Sequence, residues 1–149
     1  MGRIAVIGCG HWGRNYVRIF CEQLGVENVV AVDANSKTLQ STLSRHPGLQ
    51  GVAALDALDK AVSMAVVATP AATHNAVILK CLEAGLDVLA EKPLTLDAGE
   101  ARNLAALAKK RKRILMVGHT FLYNAAVRKV RDLIRRGACG KLYYMKAVP

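Results

Sequence analysis

A glycine-spaced turn near the amino terminus constrains the fold of this chain more than any other feature. The short apolar run Ile4 to Ile7 leads directly into Gly8-x-Gly10-x-x-Gly13, and a helical pattern follows. An unbroken apolar run of this length is typical of a strand that is buried on both faces of a parallel sheet. The segment therefore predicts a strand, a tight turn and a helix that begins at the turn.

The glycines of this turn have separate tasks in a dinucleotide-binding fold. Gly8 allows the tight turn off the strand, Gly10 lets backbone approach a pyrophosphate, and Gly13 lets the helix pack close to the sheet. The pyrophosphate would accept hydrogen bonds from free amides at the helix start, where His11 and Trp12 lie. A glycine-rich turn without a function is the alternative interpretation.

An acidic residue completes the dinucleotide pattern. The apolar run Val29 to Val32 ends in Asp33, at about the distance from the glycines where a ribose-binding carboxylate is expected. A 2′-phosphate beside that carboxylate would make a like-charge contact, which Lys37 is placed to reduce. The sequence therefore predicts NAD as the cofactor, with NADP as the less favoured alternative.

Strand and helix patterns alternate along the rest of the chain. Further strands are predicted over residues 50–53, 64–68, 88–90 and 114–117, with helices between them. Ser36 is predicted to cap the second helix, and Asp97 is predicted to cap the helix before the last strand. The alternation predicts an α/β fold, namely a Rossmann doubly wound parallel sheet with helices on both faces.

The last stretch departs from this alternation. It is rich in strand formers, and a strand is predicted over Leu142 to Met145. We expect residues 1–138 to form the dinucleotide-binding domain. We expect residues 139–149 to begin a C-terminal α/β substrate domain that is otherwise absent from this chain.

Composition narrows the class of protein. A chain of 149 residues that is 52% hydrophobic can bury one good core. Its apolar stretches are interrupted, so we expect neither a signal peptide nor a membrane span, and we expect a cytoplasmic protein. Its four cysteines are far apart and include no C-x-x-C pair, so neither a disulfide framework nor a metal site is predicted.

The formal net charge of +10 raises the possibility of a nucleic-acid partner. The densest basic run, Lys109 to Arg113, falls where a helix is predicted to end, and cations suit a helix C-terminus. It contains no interleaved aromatic residues. A solvated helix end is the favoured interpretation and a nucleic-acid patch the alternative, so no nucleic-acid partner is predicted.

Four motifs together carry a family resemblance: Gly8 to Gly13, Ala68-Thr69-Pro70 with Thr73-His74, Glu91-Lys92-Pro93-Leu94, and Gly118 to Phe121. They resemble the N-terminal half of the glucose–fructose oxidoreductase and inositol dehydrogenase (Gfo/Idh/MocA) family, and Glu-Lys-Pro is the most specific of them. Within that family, Gly118 to Asn124 is most similar to the branch of UDP-N-acetylglucosaminuronate 3-dehydrogenases.

The resemblance implies an NAD-dependent oxidoreductase that acts on a sugar or nucleotide sugar. Lys92 is implied as the catalytic residue, and an ammonium at the end of a strand can hydrogen-bond a sugar hydroxyl and stabilise the alkoxide that precedes hydride loss. A surface lysine paired with Glu91 is the alternative. The family also suggests that the peptide bond before Pro93 is cis, which sequence alone does not determine.

The resemblance implies further site residues and partners. It places Thr69, Pro70, His74 and Glu91 at the cofactor, and the alternative for the first three is a turn followed by a helix cap. His119 and Asn124 are candidate substrate contacts, although His119 could equally satisfy local backbone. Full-length members of the family add a domain that binds substrate and mediates oligomers, so we expect a homo-oligomer at full length and no turnover by this chain alone.

Two other classes of function stay open. A non-catalytic dinucleotide-binding module would also explain the glycine turn, and a basic nucleic-acid-binding protein is the more distant alternative.

Overall fold

The computed structural model describes residues 2–146, and within them six parallel strands form one sheet. The strands are β1 (Arg3–Ile7), β2 (Val29–Val32), β3 (Gln50–Val52), β4 (Val62–Val67), β5 (Asp87–Ala90) and β6 (Leu115–Val117). The helices are α1 (His11–Leu24), α2 (Ser36–Leu43), α3 (Ala71–Glu83), α4 (Ala98–Arg111) and α5 (Ala125–Arg135). The sheet order β3-β2-β1-β4-β5-β6 is that of a doubly wound fold, so the predicted fold class is confirmed.

Alternate residues of the strands enter two separate cores. On one face Val6, Ala31 and Val66 pack with Val17 of α1 and Leu39 of α2. On the other face the neighbouring strand residues pack with two helices, and this core includes Ile7, Val67, Ile78, Leu82, Val88 and Leu104. Because both faces are covered, central strand segments such as Ile4 to Ile7 and Val29 to Val32 are apolar on both faces, as the unbroken runs in the sequence indicate.

The direction of winding reverses between β1 and β4. The chain moves outward from β1 through β2 to β3, and then returns to lay β4 against the other side of β1. Ligands of open α/β sheets bind outside the carboxyl ends of the strands at such a reversal point. The turn after β1 and the loop after β4 are adjacent here, since a Cβ atom on Gly8 would lie 2.9 Å from the Ala68 carbonyl carbon.

The helix caps agree with the sequence at one of the two predicted positions. Asp97 caps α4, and its carboxylate accepts a hydrogen bond from the Glu100 amide at 2.9 Å. The prediction of Ser36 as the α2 cap is wrong, because Asn35 occupies that position and accepts from the Thr38 amide at 3.1 Å. Both residue types accept such bonds, so composition alone leaves the cap uncertain by one residue.

The chain divides into two compact units, one ending at Gly118 and the other beginning at His119. The second unit contains a 3₁₀ turn (Thr120–Tyr123) and α5, which is capped by Asn124. Within it the Arg128 guanidinium lies 5.6 Å from the centre of the Tyr123 ring. The predicted domain boundary near residue 138 remains a prediction.

The strand predicted over Leu142 to Met145 is wrong for the structure described. This segment has no regular secondary structure, and residues 147–149 lie outside the described residues. A strand needs a neighbour for its main-chain hydrogen bonds, and none of the described residues pairs with this segment. Strand propensity without a partner is therefore not sufficient here.

Candidate active site

In the glycine turn, the backbone conformation and the close contacts exclude a side chain at Gly8 and at Gly13. Gly8 has a φ of +88°, in the left-handed region that residues with a Cβ rarely adopt. A Cβ on Gly13 would collide with the carbonyl oxygen of Gly8. The first and third glycines are therefore required by the protein's own packing, whether or not a ligand is bound.

The second glycine is different, because its surroundings are open. No heavy atom outside the immediate chain lies within 4 Å of a Cβ built on Gly10. The first turn of α1 has no side-chain cap, and the His11, Trp12 and Gly13 amides have no main-chain acceptor among residues 2–146. Unpaired amides beside open space form an anion site, so this part of the chain fits a pyrophosphate.

Asp33 is held in place at the carboxyl end of β2. One carboxylate oxygen accepts from the Cys9 amide at 2.8 Å, and the other accepts from the Asn35 amide at 2.8 Å. A carboxylate has about four acceptor sites in all, so the oriented group retains capacity for ribose hydroxyls. The contact with Cys9 ties the Asp33 carboxylate to the glycine turn, since Cys9 lies between Gly8 and Gly10.

The loop after β4 is built around Thr69 and His74. The Thr73 hydroxyl donates to Pro70 O at 2.8 Å, while no side chain caps the amides at the start of α3. The His74 ring is buried, and its two nitrogens face Thr69 O at 2.8 Å and Pro93 O at 2.7 Å. Both nitrogens of His74 are thus engaged within the protein.

The turn after β5 presents Lys92 between two anchored neighbours. The Glu91 carboxylate accepts from the Tyr16 hydroxyl at 2.7 Å and from the Lys92 amide at 3.2 Å. The peptide bond between Lys92 and Pro93 is cis, as the resemblance suggested. The Lys92 side chain itself is exposed, and among the residues described it forms no salt bridge with Glu91. The surface ion pair considered as the alternative is therefore not formed.

Tyr16 is a site residue that sequence reasoning missed. Its position in the apolar stripe of α1 indicated packing, and it does stack against Phe20 with ring centres 6.2 Å apart. Its hydroxyl nevertheless reaches Glu91 across 75 positions of sequence. Burial, together with this hydrogen bond, raises the pKa of the Tyr16 hydroxyl, so it remains a donor.

The two candidate substrate residues lie in the second unit. His119 is exposed, and its carbonyl accepts from the Leu122 amide at 3.0 Å. The Asn124 side chain accepts from the Ala126 and Val127 amides at the start of α5. Each has a local structural task, and their assignment as substrate contacts stays a prediction.

Residues 2–146 contain no disulfide bond, no metal-ligand cluster and no helix suited to span a membrane. All four cysteines are free, and burial raises the pKa of Cys9 to about 11 and that of Cys81 to about 12. Within residues 2–146 there is no cluster of three potential metal ligands. No helix in that range is both long enough and apolar enough to cross a membrane.

Comparison with known proteins gives a family match over most of the chain. Residues 2–119 match the model of an oxidoreductase family with an NAD-binding Rossmann fold, Gfo/Idh/MocA. Among curated proteins, an inositol 2-dehydrogenase of Leifsonia xyli is 31% identical over 98% of this chain and 44% of its own length.

Solved structures give the same result. A UDP-N-acetylglucosamine 3-dehydrogenase from Acidithiobacillus ferrooxidans has a TM-score of 0.78 at 30% identity, over 88% of this chain and 42% of its own. A 3-ketoreductase from Actinomadura kijaniata, solved with NADP and TDP-benzene, has a TM-score of 0.78 at 29% identity, over 91% of this chain and 42% of its own. The chain thus spans less than half the length of the proteins it matches.

Proposed function

The chain belongs to the Gfo/Idh/MocA oxidoreductase family, and from this premise we propose that it is the cofactor-binding part of a sugar oxidoreductase. The proposed reaction transfers a hydride between a ring carbon of a sugar or nucleotide sugar and the nicotinamide of NAD. One observation carries the proposal: the open amides of the glycine turn, Asp33 and Lys92 all lie at the carboxyl edge of one parallel sheet. The names of the relatives support the substrate class.

The arrangement of strands supports a proposed position for each part of the cofactor. Asp33 follows β2, on one side of the reversal point, and so favours the adenosine ribose there. The nicotinamide then falls on the other side, near the loops that follow β4 and β5. In this proposal the redox chemistry, in which bound NAD accepts or returns the hydride, occurs beside Thr69 and Lys92.

Lys92 is the proposed catalytic residue, and its role is to assist removal of the proton from the reacting hydroxyl. Its ammonium is exposed, unpaired with acid among the described residues, and carried on a turn anchored by Glu91 and Pro93. It would stabilise the developing alkoxide through a charge-assisted hydrogen bond.

A Lys92→Met variant tests this role. In a chain of the relatives' full length, we expect turnover to fall about 10²- to 10⁴-fold, because general acid–base groups contribute on that scale. The 149-residue chain by itself is expected to bind NAD and leave sugars unoxidised, since hydride transfer needs the donor carbon held within about 3–3.5 Å. Unchanged turnover in Lys92→Met would favour the alternative function, a non-catalytic dinucleotide-binding module.

The proposed cofactor is NAD rather than NADP, although one structural relative was solved with NADP. With the adenosine ribose bound at Asp33, a 2′-phosphate would bring a second negative charge beside the carboxylate, which costs on the order of several kcal/mol. Both cofactors can be titrated against the fluorescence of Trp12, the single tryptophan, which stands in the first turn of α1. We expect tighter binding of NAD, and a smaller ratio of the two affinities in Asp33→Ala.

The ratio is the informative quantity in this experiment. Asp33 also accepts from the Cys9 and Asn35 amides, so the alanine variant is expected to weaken both cofactors somewhat. A loss common to both leaves the ratio unchanged, whereas removal of the repulsion alters it. Equal or tighter binding of NADP by the wild-type chain would refute the assignment.

The basic run of the chain supports no second proposal. Lys109, Lys110 and Arg111 form the last turn of α4, and Lys112 follows in the left-handed conformation as its C-cap. Cations there stabilise the helix end. This placement favours the interpretation as a solvated helix end over a nucleic-acid surface.

A further inference from the structure

His74 forms a cross-link between two loops at the carboxyl edge of the sheet. Its ring has a relative exposure of 1%, and its nitrogens lie 2.8 Å from Thr69 O and 2.7 Å from Pro93 O. Carbonyl oxygens only accept, so one bond forms in either neutral tautomer, and both form when the ring carries a hydrogen on each nitrogen. No polar atom of the imidazole remains to contact a ligand.

The cross-link begins where the pairing of the strands ends. β4 and β5 are paired as far as Val67 and Ala90, and the final main-chain bond runs from the Glu91 amide to Val67 O at 2.8 Å. Thr69 lies two residues beyond Val67, and Pro93 lies two residues beyond Glu91. The His74 ring therefore continues the connection between the two loops beyond the point where main-chain hydrogen bonds cease.

Lys92 directly precedes Pro93, one of the two residues that His74 joins. On its amino side, the Glu91 carboxylate is held by the Tyr16 hydroxyl at 2.7 Å, which joins the turn to α1. On its carboxyl side, Pro93 O is held by His74. The backbone of Lys92 is thus fixed from two helices, while its side chain makes no ion pair among the described residues and is exposed.

We propose that His74 is a positioning residue: by joining Thr69 to Pro93 it holds Lys92 in the direction needed at the nicotinamide. This inference rests on the proposed function, since it assumes that the nicotinamide lies beside these loops. His74 touches neither cofactor nor substrate in this role, and acts through Lys92.

The test compares two probes on the 149-residue chain, NADH and ADP-ribose, which lacks the nicotinamide. Trp12 fluorescence reports the binding of both. In His74→Leu, which removes the imidazole and its contacts with both carbonyl oxygens, we expect NADH affinity to fall about tenfold and ADP-ribose affinity to change by less than about twofold, as for loss of about one or two hydrogen bonds. His74→Gln, which keeps an amide donor, should recover part of the NADH affinity. His46→Gln, in the turn after α2, is the matched control.

A double variant separates positioning from general structural support. If His74 acts through Lys92, the pair His74→Leu and Lys92→Met should bind NADH no more weakly than Lys92→Met alone. Additive losses, or equal losses of NADH and ADP-ribose in His74→Leu and His74→Gln, would overturn the inference. Failure of the wild-type chain to bind either probe would instead overturn the proposed function, and the inference with it.

Discussion

At the scale of single residues, the three glycines of the turn are constrained by different atoms. Gly13 is pressed against the carbonyl oxygen of Gly8, whereas Gly10 faces open space. The sequence pattern predicts separate tasks for them, and the structure shows which atoms leave no room for a side chain at Gly13 and that the space beside Gly10 is open.

This difference predicts opposite behaviour for two matched variants. Gly13→Ala is expected to destabilise the fold by about 1–3 kcal/mol, because the added methyl group has no room. Gly10→Ala should leave the free energy of unfolding within about 0.5 kcal/mol of wild type but weaken NAD binding at least about tenfold. Urea unfolding and NAD titration of the two proteins check this. Normal NAD affinity in Gly10→Ala would show that the open space is not the pyrophosphate site.

At the scale of elements, the starts of α2, α4 and α5 are each capped by one side chain. Asp97 accepts from the Glu100 amide and Asn35 from the Thr38 amide, while α1 has no such cap. The start of α3 also lacks a side-chain cap, but α1 is the helix proposed to bind the pyrophosphate, where amides occupied by a protein side chain would be lost to the ligand.

The cap of α4 gives a stability prediction. Asp97→Ala is expected to lower the free energy of unfolding by about 1 kcal/mol, since it leaves a helix amide without its acceptor. Asp56→Ala is the control, because the Asp56 carboxylate accepts no hydrogen bond in the part of the chain described. Urea denaturation of both variants measures the difference, and equal effects would show that the cap contributes nothing beyond the loss of a charge.

At the scale of the whole molecule, both cores of the sheet contain a buried thiol. Cys9 lies with the core beneath α1 and α2, and Cys81 lies with the core beneath α3 and α4. Burial raises the pKa of Cys81 from 9.0 to about 12, and that of Cys9 to about 11. The folded state therefore keeps these protons at a pH where the unfolded chain has lost them.

The fold is accordingly expected to weaken in alkali. The contribution of Cys81 to stability is complete below pH 9 and is lost as the pH rises from 9 to about 12, by up to about 1.4 kcal/mol per pH unit. Cys81→Ala should reduce this alkaline slope, and Cys139→Ala, which removes an exposed thiol, should not. Urea unfolding between pH 8 and 11 measures the slopes. Identical slopes in wild type and Cys81→Ala would refute the prediction.

The sequence by itself determined the layered fold and the glycine turn of this protein. Unbroken apolar runs such as Val29 to Val32 predict buried parallel strands, and their alternation with helices restricts the topology. The spacing of the glycines and of Asp33 acts locally, within one strand–turn–helix unit and the strand that follows. These local spacings can be recognised in the sequence without a structure.

The tertiary structure decided the contacts between residues that are distant in the chain. The bond from Tyr16 to Glu91 and the bonds of His74 to Thr69 and Pro93 exist because parallel strands bring separate loops to one edge. The helical periodicity of the sequence indicated only that Tyr16 belongs to the apolar stripe of α1. The strand predicted at Leu142 to Met145 did not form among the described residues, because a strand requires a partner that its own sequence cannot provide.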